Sequence, residues 1–484
     1  MPVAAGAVAT CVAILGSGGP SLSGDEMATY GAAGRSLSGL WTLAQNIDGH
    51  FLPYYTFMHF WGMAGDSEWW LRLPSAVAIG VAAAFLLDLG RRLHSSRAGL
   101  AAAGLFAVLP AVSYHGANAR PYAFAAAAAV ISFWALHRAV TRPTGRRLAL
   151  YGASVALLGC THLFAMLVVP AQLVIALWAL PPRMTVRHLL PAVALGCLPA
   201  AAFAAIGFGE RHAISWIPLK DPSILLKFPK MATGDQVAGT LLLIAAFAGA
   251  AVLWLRSRRP VRDRSGAAWA VGAAFWFVLP PLLMLVISYA VMPVYVDRYL
   301  FVTVPGLALL GGIGLAAVPW ASLPGLSRRP GLSTAVTVLP SLVLALIALP
   351  VQIAYRSDNG HYEDFRGASR VIEAALQPGD AILYGQSWLR TGFRYYGGDR
   401  LPEDVAGIGT APDPRGLGYP ERADLDTVLK GRDRVWIVWR GTKQAGLDGD
   451  RFPQVAAARR AGLEAEFSWH SAELPGLTVA LFTR

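Results

Sequence analysis

Apolar residues gather over the first 352 positions into long blocks with short polar breaks, and about eleven blocks approach the roughly 20 residues a bilayer-crossing helix needs. Their centres fall near residues 11, 82, 107, 130, 157, 173, 198, 245, 279, 310 and 342. Between the first two blocks, Met27–Trp70 is too polar to span. Its stretches 27–40 and 51–63 alternate apolar and polar residues as short interfacial helices do, with Trp41, Trp61, Trp69 and Trp70 as aromatic anchors. After residue 352 charged residues become frequent. Strand-like runs occur at Asp380–Tyr384, Arg434–Trp439 and Leu477–Phe482, and helical patterns at 363–376 and 452–462. The predicted architecture is a mainly α-helical polytopic membrane protein with about 11 transmembrane helices over residues 1–352, including a first outer loop at 21–70. A small extracytoplasmic α/β domain follows over 353–484.

Composition agrees with that pattern. The 484 residues are 55% hydrophobic and 14% charged, with a mean hydropathy of +0.47, whereas soluble chains carry about 25% charge. The net charge of +12 does not imply a nucleic-acid partner, because the basic residues fall in clusters between apolar blocks: Arg91, Arg92 and Arg97; Arg138, Arg142, Arg146 and Arg147; Arg183 and Arg187; Arg256 to Arg264; Arg328 and Arg329. These clusters occupy alternate breaks, so the positive-inside rule places the N-terminus inside, the C-terminus outside and nearly all candidate chemistry on the outer face of the plasma membrane. Cys11, Cys160 and Cys197 lie in apolar runs, with no disulfide framework or metal-ligand spacing. The uncharged N-terminus reads as a short first span, with a cleaved signal peptide as the alternative.

Asp25-Glu26 follows that span, and carboxylates at a membrane boundary point to function unless they are solvated or cap the next helix. His50, Tyr54, Tyr55 and His59 follow in the same loop; two histidines without helical spacing make a weak metal site, and packing or substrate hydrogen bonding suits them better. The turn Tyr114–Tyr122 carries Asn118, Arg120 and Tyr122, and Asp297-Arg298-Tyr299 repeats an Arg at an outer helix start. Two guanidinium forks on separate turns suit a phosphoryl group, although a snorkelling Arg120 or an Asp297–Arg298 pair would be structural. Segment 209–235 adds Arg211 and Lys220, outer cations suited to anionic headgroups. A carboxylate base and cations placed for a lipid phosphate suit sugar transfer.

Ser21–Glu26, Gly49–Tyr55 with His59, Gly65–Ser75, Ala119–Ala123 and Asp297–Leu300 together resemble the GT-C membrane glycosyltransferases, specifically the family 39-like group related to protein O-mannosyltransferases and the lipid A aminoarabinose transferase. The resemblance implies a polyprenyl-phosphate-linked sugar donor, with mannose expected, and a glycolipid, polysaccharide or protein acceptor. It further implies an inverting reaction with Asp25 as general base and Glu26 beside it, and Arg120 and Arg298 at the lipid phosphate. No cofactor is certain from the sequence, and a divalent cation beside the phosphate is left open. A retaining route would need a second carboxylate about 5 Å away. Two rivals remain: a lipid-linked-sugar transporter, disfavoured by the scarcity of acidic residues near spans, and a non-catalytic scaffold.

Overall fold

Each of the eleven apolar centres lies in a helix of the computed structural model, which describes residues 1–209, 214–257, 264–318, 330–448, 451–471 and 476–484. Among the described residues, six helices are long and apolar enough to cross a membrane: Glu68–Leu93, Tyr122–Thr141, Pro182–Gly207, Gln236–Ser257, Gly266–Ala290 and Asp297–Ala317. Ser96–Val108 and Pro110–Gly116 make a seventh if counted together across a 68° bend at Leu109. The chain is therefore a multi-pass membrane protein. The remaining centres fall on apolar stretches of 17 residues or fewer, such as Pro2–Ile14 and Val338–Ala354.

By contact the chain forms two compact units. The helical unit comprises Met1–Leu15, Asp48–Tyr54 and Arg72–Gln352. Lipid offers helices no hydrophobic drive to associate, so close backbone approach through small residues takes its place. A Cβ on Gly249 would sit 1.9 Å from the Leu310 carbonyl, and one on Gly314 would sit 2.1 Å from that of Ala245. Only hydrogen fits at either position.

The second unit comprises Gly16–Ile47, Tyr55–Leu71 and Ile353–Arg484. Its sheet runs β2-β1-β3-β5-β4, with β1 Ala381–Tyr384, β2 Glu403–Asp404, β3 Arg434–Arg440, β4 Glu464–His470 and β5 Leu477–Thr483. Strands β2, β1 and β3 are parallel, and β5 pairs antiparallel with both β3 and β4. Helices Phe365–Ala374 and Pro453–Arg460 match the patterned segments. Most of the first outer loop belongs to this unit rather than to the helical one. Ser21 donates to the Glu363 carbonyl (3.2 Å) and accepts from Phe365 N (3.0 Å), while Arg35 donates to the Pro414 carbonyl (3.0 Å). The stretch 27–40 holds two helices, Gly24–Ala33 and Leu37–Ala44, because Ser36 caps a new one after Gly34. Trp69 and Trp70 open the long helix Glu68–Leu93.

Candidate active site

In the helical unit, Asp48 takes a left-handed conformation (φ 59°) that tightens the chain into the 3₁₀ turn Gly49–Phe51. The turn buries Gly49 and Phe51 and half-buries His50. Arg120 ends the Tyr114–Tyr122 turn at 5% exposure, with its guanidinium 4.6 Å from the centre of the Phe51 ring and 6.0 Å from that of Tyr122. Arg298 donates from Nε to the Tyr122 hydroxyl (3.0 Å) and lies 5.6 Å from the rings of Trp216 and Tyr299. Arg120 and Arg298 thus share Tyr122, one by its ring and the other by its hydroxyl.

His162 joins this group. It ends helix Gly145–Thr161 and caps the next turn by accepting from Phe164 N at Nδ1 (3.2 Å), which leaves the proton on Nε2. Its ring lies 4.8 Å from Tyr299, 5.6 Å from Tyr122 and 5.7 Å from His50. Burial holds the His50 imidazole down to about 4, with Asp48 opposing and Arg120 adding to the effect. Burial and then the neighbouring His50, Arg120 and Arg298 hold His162 well below the usual imidazole range. Both rings are neutral at pH 7. Among the described residues, His50 Nε2 and His162 Nε2 are buried with no hydrogen-bond partner, an expensive condition unless a ligand answers them. Two guanidinium groups, two imidazole edges and the Tyr122 ring form a site suited to a phosphate with an apolar substituent.

Not every expected residue joins it. Tyr54 packs on Phe124 (5.6 Å), and the buried Asn118 carbonyl accepts from Arg120 N (2.8 Å), shaping the turn. Tyr299 does join it, stacked on Phe164 at 5.3 Å beside His162 and Arg298. The Lys220 carbonyl accepts from the Tyr289 hydroxyl (3.1 Å). Arg211 lies outside the described residues. Tyr55 is buried in helix Leu52–Gly62, and His59 of that helix bonds through Nδ1 to the Ala33 carbonyl (2.9 Å), tying two helices of the second unit. His162 was legible only as a lone histidine at a span end, a weak signal without its ring neighbours.

The acidic pair begins helix Gly24–Ala33 in the second unit, and its two carboxylates differ. Glu26 closes a capping box: its Oε2 accepts from Ser23 N (3.0 Å) while Ser23 Oγ accepts from Glu26 N (3.3 Å). The same oxygen lies 3.2 Å from His361 Nδ1, and both side chains are almost wholly buried. The structure thus gives Glu26 the helix-capping role. Asp25 is half-buried in the first turn of the same helix. Nearby, Glu363 Oε2 accepts from Gly24 N (3.1 Å), and its Oε1 accepts from Arg440 (2.6 Å). Burial nevertheless raises the Glu363 carboxyl, with Asp25 adding to the rise and Arg440 opposing it. A Cβ on Gly24 would sit 2.9 Å from the Trp388 ring, so the small residue before the pair is a packing requirement. Among the described residues, no three His, Cys, Asp or Glu side chains gather as metal ligands.

The profile of the dolichyl-phosphate-mannose-protein mannosyltransferase family matches residues 50–206. Among curated proteins no sequence matches. The crystal structure of ArnT from Cupriavidus metallidurans in the apo state superposes with a TM-score of 0.61 at 15% identity, covering 98% of this chain and 96% of that one. The same protein bound to undecaprenyl phosphate gives a TM-score of 0.57 over the same shares. The chain has the GT-C fold of membrane glycosyltransferases.

Proposed function

We propose that this protein is a membrane glycosyltransferase that moves a sugar from a polyprenyl-phosphate carrier to a hydroxyl acceptor on the outer face of the plasma membrane. The observation that carries this reading is the joining of Arg120 and Arg298 through Tyr122, beside the partnerless Nε2 edges of His50 and His162. The fold-sharing ArnT has been crystallised with undecaprenyl phosphate, which supports a lipid phosphate as the anion. The matched family's description supports mannose as the sugar.

The acceptor oxygen attacks the anomeric carbon as Asp25 takes its proton, and the C1–O bond breaks with its electron pair leaving on the lipid phosphate. The growing negative charge on that phosphate meets Arg120 and Arg298, held in place before the reaction begins. Neutral imidazoles add N–H donors without the cost of burying two more cations. With one carboxylate of the pair committed to the helix cap, a single-base, inverting displacement is favoured over a covalent two-carboxylate route.

Undecaprenyl phosphate binding to the purified chain, read by native mass spectrometry, tests the anion site. Wild type is expected to retain the lipid, and Arg298→Met to lose at least tenfold in affinity. Equal retention by wild type, Arg120→Met and Arg298→Met would remove the phosphate from this site.

A further inference from the structure

Helix Phe365–Ala374 buries Phe365, Ala368 and Ile372 and turns Arg366, Ser369, Arg370 and Glu373 to one side, at the i, i+3, i+4 and i+7 spacing of a helical face. That side lines a cavity of about 610 Å³ inside the second unit, within the roughly 300–1,000 Å³ of small-molecule sites. Opposite stand Tyr395 and Tyr396 from helix Arg390–Tyr396, with Tyr30 from the first outer loop. The Tyr30 and Tyr395 rings meet edge to face at 5.0 Å, and Tyr395 and Tyr396 do so at 4.7 Å.

The cavity's charges are unequal. Four guanidinium groups (Arg366, Arg370, Arg394 and Arg400) face three carboxylates (Asp66, Glu68 and Glu373), an excess of one cation. Glu68 answers Arg366, and Glu373 lies 3.4 Å from Arg400. Arg394 donates to the Thr410 carbonyl and rests 4.5 Å over the Tyr419 ring, and Arg370 is exposed. Ser369 supplies an independent sign of a ligand. It is 1% exposed, lines the cavity, and its Oγ finds no hydrogen-bond partner among the described residues, a costly condition for a buried hydroxyl.

We propose that this cavity binds an anionic saccharide, its hydroxyls read by Ser369 and the carboxylate–guanidinium rim, its ring faces by tyrosines and its charge by Arg370 and Arg394. Resting on the transferase reading, the cavity is the acceptor's subsite, and the acceptor class is an acidic glycan or glycolipid headgroup.

Equilibrium dialysis of the detergent-solubilised full chain against radiolabelled glucose 6-phosphate reads the cavity with no sugar donor present. Saturable binding is expected, competed at least tenfold less well by glucose or by inorganic phosphate, and weakened at least tenfold in Arg370→Glu. Arg370→Gln, which removes the charge and keeps the length, should lose severalfold and serves if the reversal impairs folding. Absent saturable binding, or binding indifferent to both variants, would overturn the proposal. Equal competition by phosphate would reduce the cavity to an anion site, and equal competition by glucose would remove the charge requirement; each contradicts an anionic-saccharide site. Intact binding in a chain that never transfers sugar would count against the transferase reading and leave the cavity assigned.

Discussion

Arg298 bonds the Tyr122 hydroxyl through Nε of a planar guanidinium whose geometry lysine cannot reproduce. Arg298→Lys is therefore expected to lower kcat roughly 10²-fold, within the range for a lost oxyanion donor, with initial-rate measurements as the check. The two imidazoles set the response to acid. His50 is held near 4 in the folded chain by burial, below the ordinary 6.5 it regains on unfolding. Its contribution to stability is therefore complete above pH 6.5 and is lost as pH falls from 6.5 toward 4, and His162 moves the same way. Thermal unfolding in detergent is expected to hold a level Tm from pH 7 to 8 and fall steeply below 6.5, with a shallower fall in His50→Gln. Sequence alone singled out Arg120 and Arg298 as candidates for a phosphate because each stands at an outer helix start after a polar break. The Ser23-x-x-Glu26 spacing is itself a capping-box signature, whereas the contact of Glu26 with His361, 335 positions away, leaves no trace in the local sequence.

At the scale of elements, membrane helices were legible because lipid-facing segments demand continuous apolar runs. Strand β4 was not: Glu464–His470 is an edge strand whose first four residues are exposed, so its sequence carries no apolar alternation toward a core. The bend at Leu109 was hidden inside one apolar block, although Pro110 marks it. Two element contacts yield stability predictions. Arg390 is fully buried, with Asp404 at 2.6 Å and Glu421 at 2.5 Å, and lies 4.7 Å over the Tyr384 ring. Arg390→Ala strands two carboxylates and should cost about 3–5 kcal/mol in a denaturant titration of the second unit's unfolding. In the helical unit, Gly249→Leu would force apart Gln236–Ser257 and Val304–Ala317. The variant is expected to unfold or aggregate in detergent while Gly207→Leu, with open space about its Cβ, stays monodisperse on gel filtration.

Across the whole molecule, sequence marked the change of composition near residue 352 but not the allegiance of the first outer loop. Gly16–Ile47 and Tyr55–Leu71 pack with the C-terminal sheet domain through ties such as Leu22 N to the Tyr396 hydroxyl (2.7 Å), separated by 374 positions. Such ties pair backbone groups with distant side chains and leave no periodic trace. The acidic pair thus resides in the unit that also holds the saccharide cavity, which makes this unit the natural reader of the acceptor. The most direct measurement is transfer from radiolabelled polyprenyl-phosphate-mannose to a membrane acceptor extract by the purified protein, by Asp25→Asn and by Arg298→Met. The account predicts label transfer by wild type, a loss of roughly 10²–10⁴-fold in Asp25→Asn and a marked loss in Arg298→Met. Undiminished transfer by Asp25→Asn would contradict the base assignment, and no transfer by wild type from any polyprenyl-phosphate sugar would contradict the transferase reading itself.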